Sequence, residues 1–209
     1  MKVLKDKRVI FWDFDGVIMD SMPVRNKGFE LVLAKYPEDE VARLMEFHLA
    51  NGGLSRYVKF RYFFEEIKGV SVTENEINEW ATKFSSVMKQ ELLDKGLLIQ
   101  DSVEFIKENH KNYTMHIVSG SDQAELRYLC EKLGIQEYFY SIHGSPIPKK
   151  QLVQDLLHEH SYSATESVLI GDSVNDFEAA ETNNIDFLGY NNVKLQDLGI
   201  GYIKAFGDE

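Results

Sequence analysis

A chain of 209 residues with a formal charge of −11 and no basic stripe is a poor match for a phosphate backbone, which excludes nucleic-acid binding. Apolar residues make up 44% and charged residues 27%, the balance of a water-soluble globular protein with room for one good core plus an insertion. The single cysteine, Cys130, excludes an internal disulfide framework and a cysteine-rich zinc site. The opening MKVLKDK is too charged for a signal peptide, and no apolar run approaches the roughly 20 residues of a membrane span. The expectation is a soluble cytoplasmic protein with no membrane partner, a monomer in the simplest reading. An acidic protein that acts on anions must supply its own local positive charge, from lysine, arginine or a metal.

The first element is Val9-Ile10-Phe11-Trp12, a β-branched and aromatic run that reads as a strand buried on both faces. It breaks into Asp13-Phe14-Asp15-Gly16, where strand periodicity turns both carboxylates one way and Phe14 the other. Gly16 suits a turn that lets backbone approach a ligand closely. In an open parallel sheet, ligands bind at the carboxyl ends of the strands. Two acids side by side there repel each other, and a divalent cation with oxygen ligands is the simplest way to hold them.

From Val24 to about Leu93 the pattern turns helical. Amphipathic stretches over 26–33, 38–49, 56–66 and 74–92 predict a bundle of four or so helices. Phe60, Phe63, Phe64 and Ile67 form an apolar stripe, and Thr73 with Glu76 has the spacing of a capping box. One strong break interrupts the block, Asn51-Gly52-Gly53-Leu54-Ser55-Arg56.

From about Gly96 a βα rhythm returns. Helices are expected over 102–107, 122–133, 150–159 and 176–182. Strands are expected over 114–118, 140–143, 167–170 and 186–190, with a possible edge strand over 201–204. Cys130 shares one helix face with Leu126, Leu129 and Leu133, a core position rather than a reactive one, and Gly134 stops that helix. Such alternation makes a doubly wound parallel α/β sheet with the helical block inserted after the first strand.

Three further strand ends carry chemistry. Ser119 closes IVSGS and, with Gly120, offers a hydroxyl and backbone N–H groups to an anion; Lys149 and Lys150 open a helix after Ser145-Pro-Ile-Pro; Asp172 follows VLIG, with Asp176 four residues on. In this order, Asp13-x-Asp15-Gly16-Val17, Ser119, Lys149 and Gly171-Asp172-x-x-x-Asp176 resemble the four motifs of the haloacid dehalogenase superfamily. The insertion resembles that family's helical (C1-type) cap, as in the phosphoglycolate phosphatase and β-phosphoglucomutase branch.

The resemblance implies a Rossmann-like core over 1–18 and 96–209 and a helical cap over 19–95. It also implies a Mg²⁺-dependent phosphatase for a small phosphorylated metabolite. Asp13 would be the nucleophile that forms an aspartyl-phosphate, and Asp15 the proton donor to the leaving oxygen and then the base for water. Mg²⁺ would be held by Asp13, the backbone carbonyl of Asp15 and Asp172, with Asp176 in support. Lys149 and Ser119 would hold the non-bridging phosphate oxygens, with Lys150 as the rival lysine. A second aspartate, Asp15, points to phosphoryl transfer rather than halide displacement.

In the cap, Gly53 and Arg56 resemble the substrate-specificity loop. Arg56 would meet a second anionic group on the substrate, or else pair with a neighbouring glutamate at the surface. Lys83 matches a cap lysine of some relatives only loosely, and His48 reads as packed or solvated rather than catalytic. A phosphosugar mutase shares Asp13 and Asp15 and is the alternative reading, with a non-catalytic binding module behind it.

Overall fold

The computed structural model describes residues 2–89 and 91–207. Gln90, inside the helix expected over 74–92, lies outside them, as do residues 1, 208 and 209 of the expected core.

Strand β1 (Val9–Trp12) sits inside a six-stranded parallel sheet. On one side it is followed by β2 (Thr114–Asp122) and β3 (Ser141–Ser145). On the other come β4 (Ser167–Gly171), β5 (Asp186–Tyr190) and β6 (Gly201–Ile203). Val9 aligns with Thr114 on β2 and with Ser167 on β4, so the ends of β1 and β4 lie level. The strand order reverses at β1, and the crevice beyond the carboxyl ends of β1 and β4 is the place where such sheets bind ligands.

Alternation along β1 serves two cores. Ile10 and Trp12 join Met115, Ile117, Val168 and Ile170 on one face, and Val9 and Phe11 join Val118, Leu169 and Phe187 on the other. Helices α5 (Gln100–Asn109) and α6 (Gln123–Leu133) cover the first face with Val103, Ile106, Leu126, Leu129 and Cys130. Helices α7 (Lys149–Glu159) and α8 (Val174–Thr182) cover the second with Leu152, Val153, Leu156, Ala179 and Ala180. Each large apolar side chain so buried stabilises the fold by about 1.5–3 kcal/mol. The fold is the doubly wound parallel α/β sheet that the sequence predicts.

Between β1 and α5 lie α1 (Met22–Val32), α2 (Glu38–Ala50), α3 (Arg56–Tyr62) and α4 (Glu74–Met88). The rings of Phe29 and Phe84 lie 4.5 Å apart, and Phe60 packs 5.4 Å from Phe29. This aromatic centre is continuous with the first core of the sheet. The predicted capping box is present: Thr73 Oγ1 accepts from Glu76 N at 3.3 Å, and Glu76 Oε2 accepts from Thr73 N at 2.8 Å.

Three helices of this block differ from expectation, and the third, α4, ends at Met88 rather than at residue 92, with a 3-10 turn over Glu91–Leu93. α1 begins at Met22 rather than at residue 26, because Pro23 falls in its first turn, where a missing N–H costs nothing. α3 ends at Tyr62 and widens into a π turn over Phe63–Ile67, in which Lys68 N bonds to Phe63 O at 3.0 Å. That turn keeps Phe63, Phe64 and Ile67 all buried while the chain leaves the helix at Gly69.

Candidate active site

The crevice beyond β1 and β4 collects the acids. Asp13 follows β1 and is buried, Asp172 follows β4, and carboxylate oxygens of Asp13, Asp172 and Asp176 lie within 4.8 Å of one another. Gly16 makes this approach possible. Its φ is +78°, and a Cβ there would stand 2.0 Å from Asp172 Oδ2. The loop after β5 braces both turns, with Asn191 Nδ2 donating to Gly16 O at 3.0 Å and Asn192 Nδ2 to Asp172 O at 2.7 Å.

Lys149 opens α7 and points into this cluster. It is buried, its Nζ lies 2.8 Å from Asp13 Oδ1, and it donates to Asp176 Oδ1. Lys150 is exposed, so the helix register brings only Lys149 to the acids. The other oxygen of Asp176 accepts from Ser173 N at 3.0 Å and from Ser173 Oγ at 2.7 Å, so both of its oxygens are engaged.

Burial and the neighbouring Asp176 push the Asp13 carboxyl above its ordinary range; burial and Asp13 do the same to Asp172. For Lys149 burial works against the charge, but Asp13 and Asp176 outweigh it and hold the ammonium charged. Asp13 Oδ1 is buried with no hydrogen-bond donor in line, so its link to Lys149 is a charge contact. An all-oxygen set with more negative than positive charge fits a hard divalent cation such as Mg²⁺. Asp13, Asp172 and Asp176 each turn a carboxylate oxygen to the cluster, and those of Asp176 already accept from Lys149 and Ser173.

Asp15 is held differently. Its carboxylate accepts from Arg25 Nε at 2.6 Å and from the hydroxyls of Ser21 and Ser121. Burial favours the neutral acid, but the Arg25 charge and these hydrogen bonds win and hold Asp15 at about 2. Arg25 continues outward, with Nη1 donating to Glu125 Oε1 at 3.1 Å. Glu125, on α6, also takes both prongs of the Arg56 fork, at 2.6 and 2.8 Å, while Arg56 Nη1 reaches Ser85 Oγ at 2.6 Å. Arg56 does pair with a glutamate, then, but as a buried residue on the cavity wall and not at the surface.

Ser119 is buried at the end of the β2 apolar run. Its Oγ accepts from Ser121 N at 3.1 Å, which leaves the hydroxyl proton free to donate. Gly120 and Gly53 mark where the loop before α3 meets the sheet. A Cβ on Gly120 would stand 2.4 Å from Gly53 O, and one on Gly53 would stand 2.5 Å from Ser173 Oγ.

Of these groups Asp13, Asp15, Arg25, Arg56, Ser119, Gly120, Ser121 and Asp172 line a cavity of about 420 Å³, the size of a small-metabolite site. His48 lines it too, packed 4.8 Å from the Phe29 ring with Nε2 bonded to Asn26 Oδ1 at 2.9 Å. Lys83 is not brought in and instead covers the Trp80 ring at 4.9 Å.

Sequence reading missed Arg25, Lys59, Ser121 and Glu125 as parts of this site. Pro23 could have moved the start of the opening helix early enough to include Arg25, but it says nothing of which face turns inward. Nothing local distinguishes Lys59 or Glu125 from solvated helical charges.

A family model for haloacid dehalogenase-like hydrolases matches residues 9–190. Phosphoglycolate phosphatase of Colwellia psychrerythraea is 25% identical over 202 residues, covering 89% of this chain and 85% of its own. Among solved structures, β-phosphoglucomutase from Clostridium difficile superposes with a TM-score of 0.76 at 17% identity, over 96% of this chain and 92% of that one. A predicted phosphoglycolate phosphatase from Haemophilus somnus superposes with a TM-score of 0.73 at 15% identity, over 98% and 96%. With a match that spans β1 to β5 and takes in every motif of the crevice, this chain belongs to the haloacid dehalogenase-like hydrolases.

Proposed function

We propose that this phosphatase of the haloacid dehalogenase type hydrolyses a small phosphorylated metabolite in a Mg²⁺-dependent reaction, through an aspartyl-phosphate on Asp13. One observation carries the reading. Asp13, Asp172 and Asp176 converge with Lys149 at the crevice where the strand order reverses, and Ser119 lines the same cavity as Asp13 and Asp172. Mg²⁺ would be held by the side chains of Asp13 and Asp172 and the backbone carbonyl of Asp15. When bound it offsets the repulsion between a carboxylate and an anionic phosphate.

Each residue then has a task. Asp13 attacks phosphorus, while Lys149 and the Ser119 hydroxyl hold the non-bridging oxygens and favour the charge that builds there. Asp176 fixes Lys149. Asp15, ionised in this arrangement, is ready to take a proton from the water that hydrolyses the intermediate. To protonate the leaving oxygen first, it must loosen from Arg25. Gly53 and Gly120 let the cap loop seat against the sheet, which keeps bulk water from the acyl phosphate. The relative from Colwellia psychrerythraea makes phosphoglycolate the first substrate to try.

The test is phosphate release across a panel of organic-acid and sugar phosphates, with Mg²⁺ or with EDTA, beside Asp13→Asn. Release that needs Mg²⁺ and vanishes in the variant is expected. Isomerised sugar phosphate without free phosphate would instead establish the mutase reaction, and no turnover of any kind would leave only a binding role.

A further inference from the structure

A second cavity, of about 200 Å³, adjoins the first. The two share Gly53, Leu54, Gly120 and Asn175, so the contact between Gly53 and Gly120 is the wall between them. Ser55 reaches the second cavity from the loop before α3, and Ser145 from the end of β3. Pro148 and Lys149 bring the start of α7, and Glu178 of α8 stands exposed at the rim.

All of these polar groups except Glu178 are donors without an acceptor. Ser145 is 1% exposed, yet its Oγ has no hydrogen-bond partner, a costly condition for a buried hydroxyl. Ser55 Oγ accepts from Val58 N at 3.4 Å, which leaves its own proton free to donate. No side chain caps α7, and among the described residues no acceptor takes the N–H of Lys149. A helix start left open in this way carries partial positive charge and favours an anion. Leu54, Val58, Pro146 and Ile147 complete the wall with apolar surface, against which such an attraction is less screened than in water.

We infer that this cavity is a second anion site that takes inorganic phosphate and, once filled, ties the inserted helices to the sheet. The site stands on its own geometry, and only the identification of its ligand with the reaction's product rests on the phosphatase reading above. Its donors come from two sides, Ser55 from the insertion and Ser145 with Lys149 N from the core. A tetrahedral anion bonded to both sides holds the loop before α3 in place, so phosphate slows turnover without entering the crevice. Glu178 decides which anion is taken. Hydrogen phosphate keeps a P–O–H for a carboxylate to accept, whereas sulfate has none and is repelled. The volume also suits a small ion, being below the roughly 300–1,000 Å³ of sites that bury larger ligands.

The test titrates inorganic phosphate, and separately sulfate, into the protein by calorimetry with EDTA present. Without a cation, Asp13, Asp172 and Asp176 outnumber Lys149 and the crevice repels phosphate, so the heat reports the second cavity. One equivalent of phosphate binds, and sulfate binds at least about 10-fold more weakly. Ser145→Ala weakens phosphate by about 10–100-fold, the worth of a hydrogen bond to a charged group, and does not lower the melting temperature, since it removes a hydroxyl that has no partner. Glu178→Gln lets sulfate bind as well as phosphate, and Ser119→Ala, in the crevice, leaves this binding unchanged. No binding to the wild type, equal affinity for sulfate, or a loss in Ser119→Ala instead of in Ser145→Ala would overturn the site. With Mg²⁺ and a substrate that turns over, phosphate inhibits the wild type in a mixed pattern and Ser145→Ala only competitively. A purely competitive pattern in the wild type would refute the restraint on the inserted helices. If no substrate turns over, the phosphatase reading falls, and the titration in EDTA still decides the site.

Discussion

Glu125→Ala tests the ion cluster that joins the inserted helices to the sheet. Glu125 lies on α6, whereas the two arginines it binds come from α1 and α3. Removing its carboxylate strands the buried Arg56 guanidinium and leaves Arg25 with Asp15 alone, and breaking a buried pair from one side costs about 3–5 kcal/mol. The titration of the residue gives a second estimate. Burial alone would raise its carboxyl, but the Arg56 hydrogen bonds and charge, with Arg25 behind them, hold it at about 2 instead of 4.5. At about 1.4 kcal/mol per pH unit that difference corresponds to roughly 3 kcal/mol. Because the folded-state value is the lower one, this stability is present above pH 4.5 and is lost as pH falls towards 2. At pH 7 the variant should lose about 3 kcal/mol in urea unfolding and melt about 6–12 °C lower. Adding Arg56→Met should recover part of the loss, and the gap between wild type and variant should narrow below pH 4.5. A loss under about 1 kcal/mol, or a gap that ignores both pH and Arg56→Met, would refute this account of the cluster.

Three other outcomes follow from the same geometry. Gly120→Ala pushes a methyl against the backbone Gly53 O, which cannot yield cheaply, and should lower kcat/KM by about 10–100-fold and the melting temperature with it. Lys149→Met removes the charge beside Asp13 and Asp176 and should abolish phosphate release, whereas Lys150→Met, at an exposed site, should stay within about 0.5 kcal/mol of wild-type stability and keep its activity. His116 is buried between Ser141 Oγ and Tyr162 OH, and burial, with His160 next, holds it at about 3. The unfolded chain takes up that proton below about pH 6.5, so stability should fall by up to about 1.4 kcal/mol per pH unit between pH 6 and 4, and His116→Phe should flatten the slope measured by urea titration.

What could be read in advance follows the range of each interaction. The alternation of Val9–Trp12 fixes two core faces from four residues, and the acid turns after β1 and β4 are placed by strand periodicity alone. Lys149 falls inward because α7 starts there, one residue before the expected start, so the choice between the two lysines came from the resemblance and not from the helix period. Arg25, Lys59 and Glu125 escape for a different reason. Glu125 meets Arg25 across a hundred residues of chain and Arg56 across 69, and a charge on a helix carries no local mark of the partner it will find. The same holds for Arg56, which the family resemblance nominates for the substrate but which could not be seen to have its fork filled by Glu125.

The charge balance of the cavity links metal, substrate and cap. Four buried cations, Arg25, Arg56, Lys59 and Lys149, stand among five carboxylates, Asp13, Asp15, Glu125, Asp172 and Asp176. The deficit is not spread evenly. Asp15 and Glu125 are matched by arginines and held low, whereas Asp13 and Asp172 share one lysine with Asp176 and are pushed up. The uncompensated negative charge therefore lies at the crevice, among Asp13, Asp172 and Asp176. A phosphate arriving alone would be repelled where the proposed chemistry occurs. A divalent cation held by Asp13 and Asp172 would reverse that sign. On the proposed reading metal dependence and phosphate binding are one property, because the cation that would let Asp13 approach phosphorus would also let the phosphate enter the crevice.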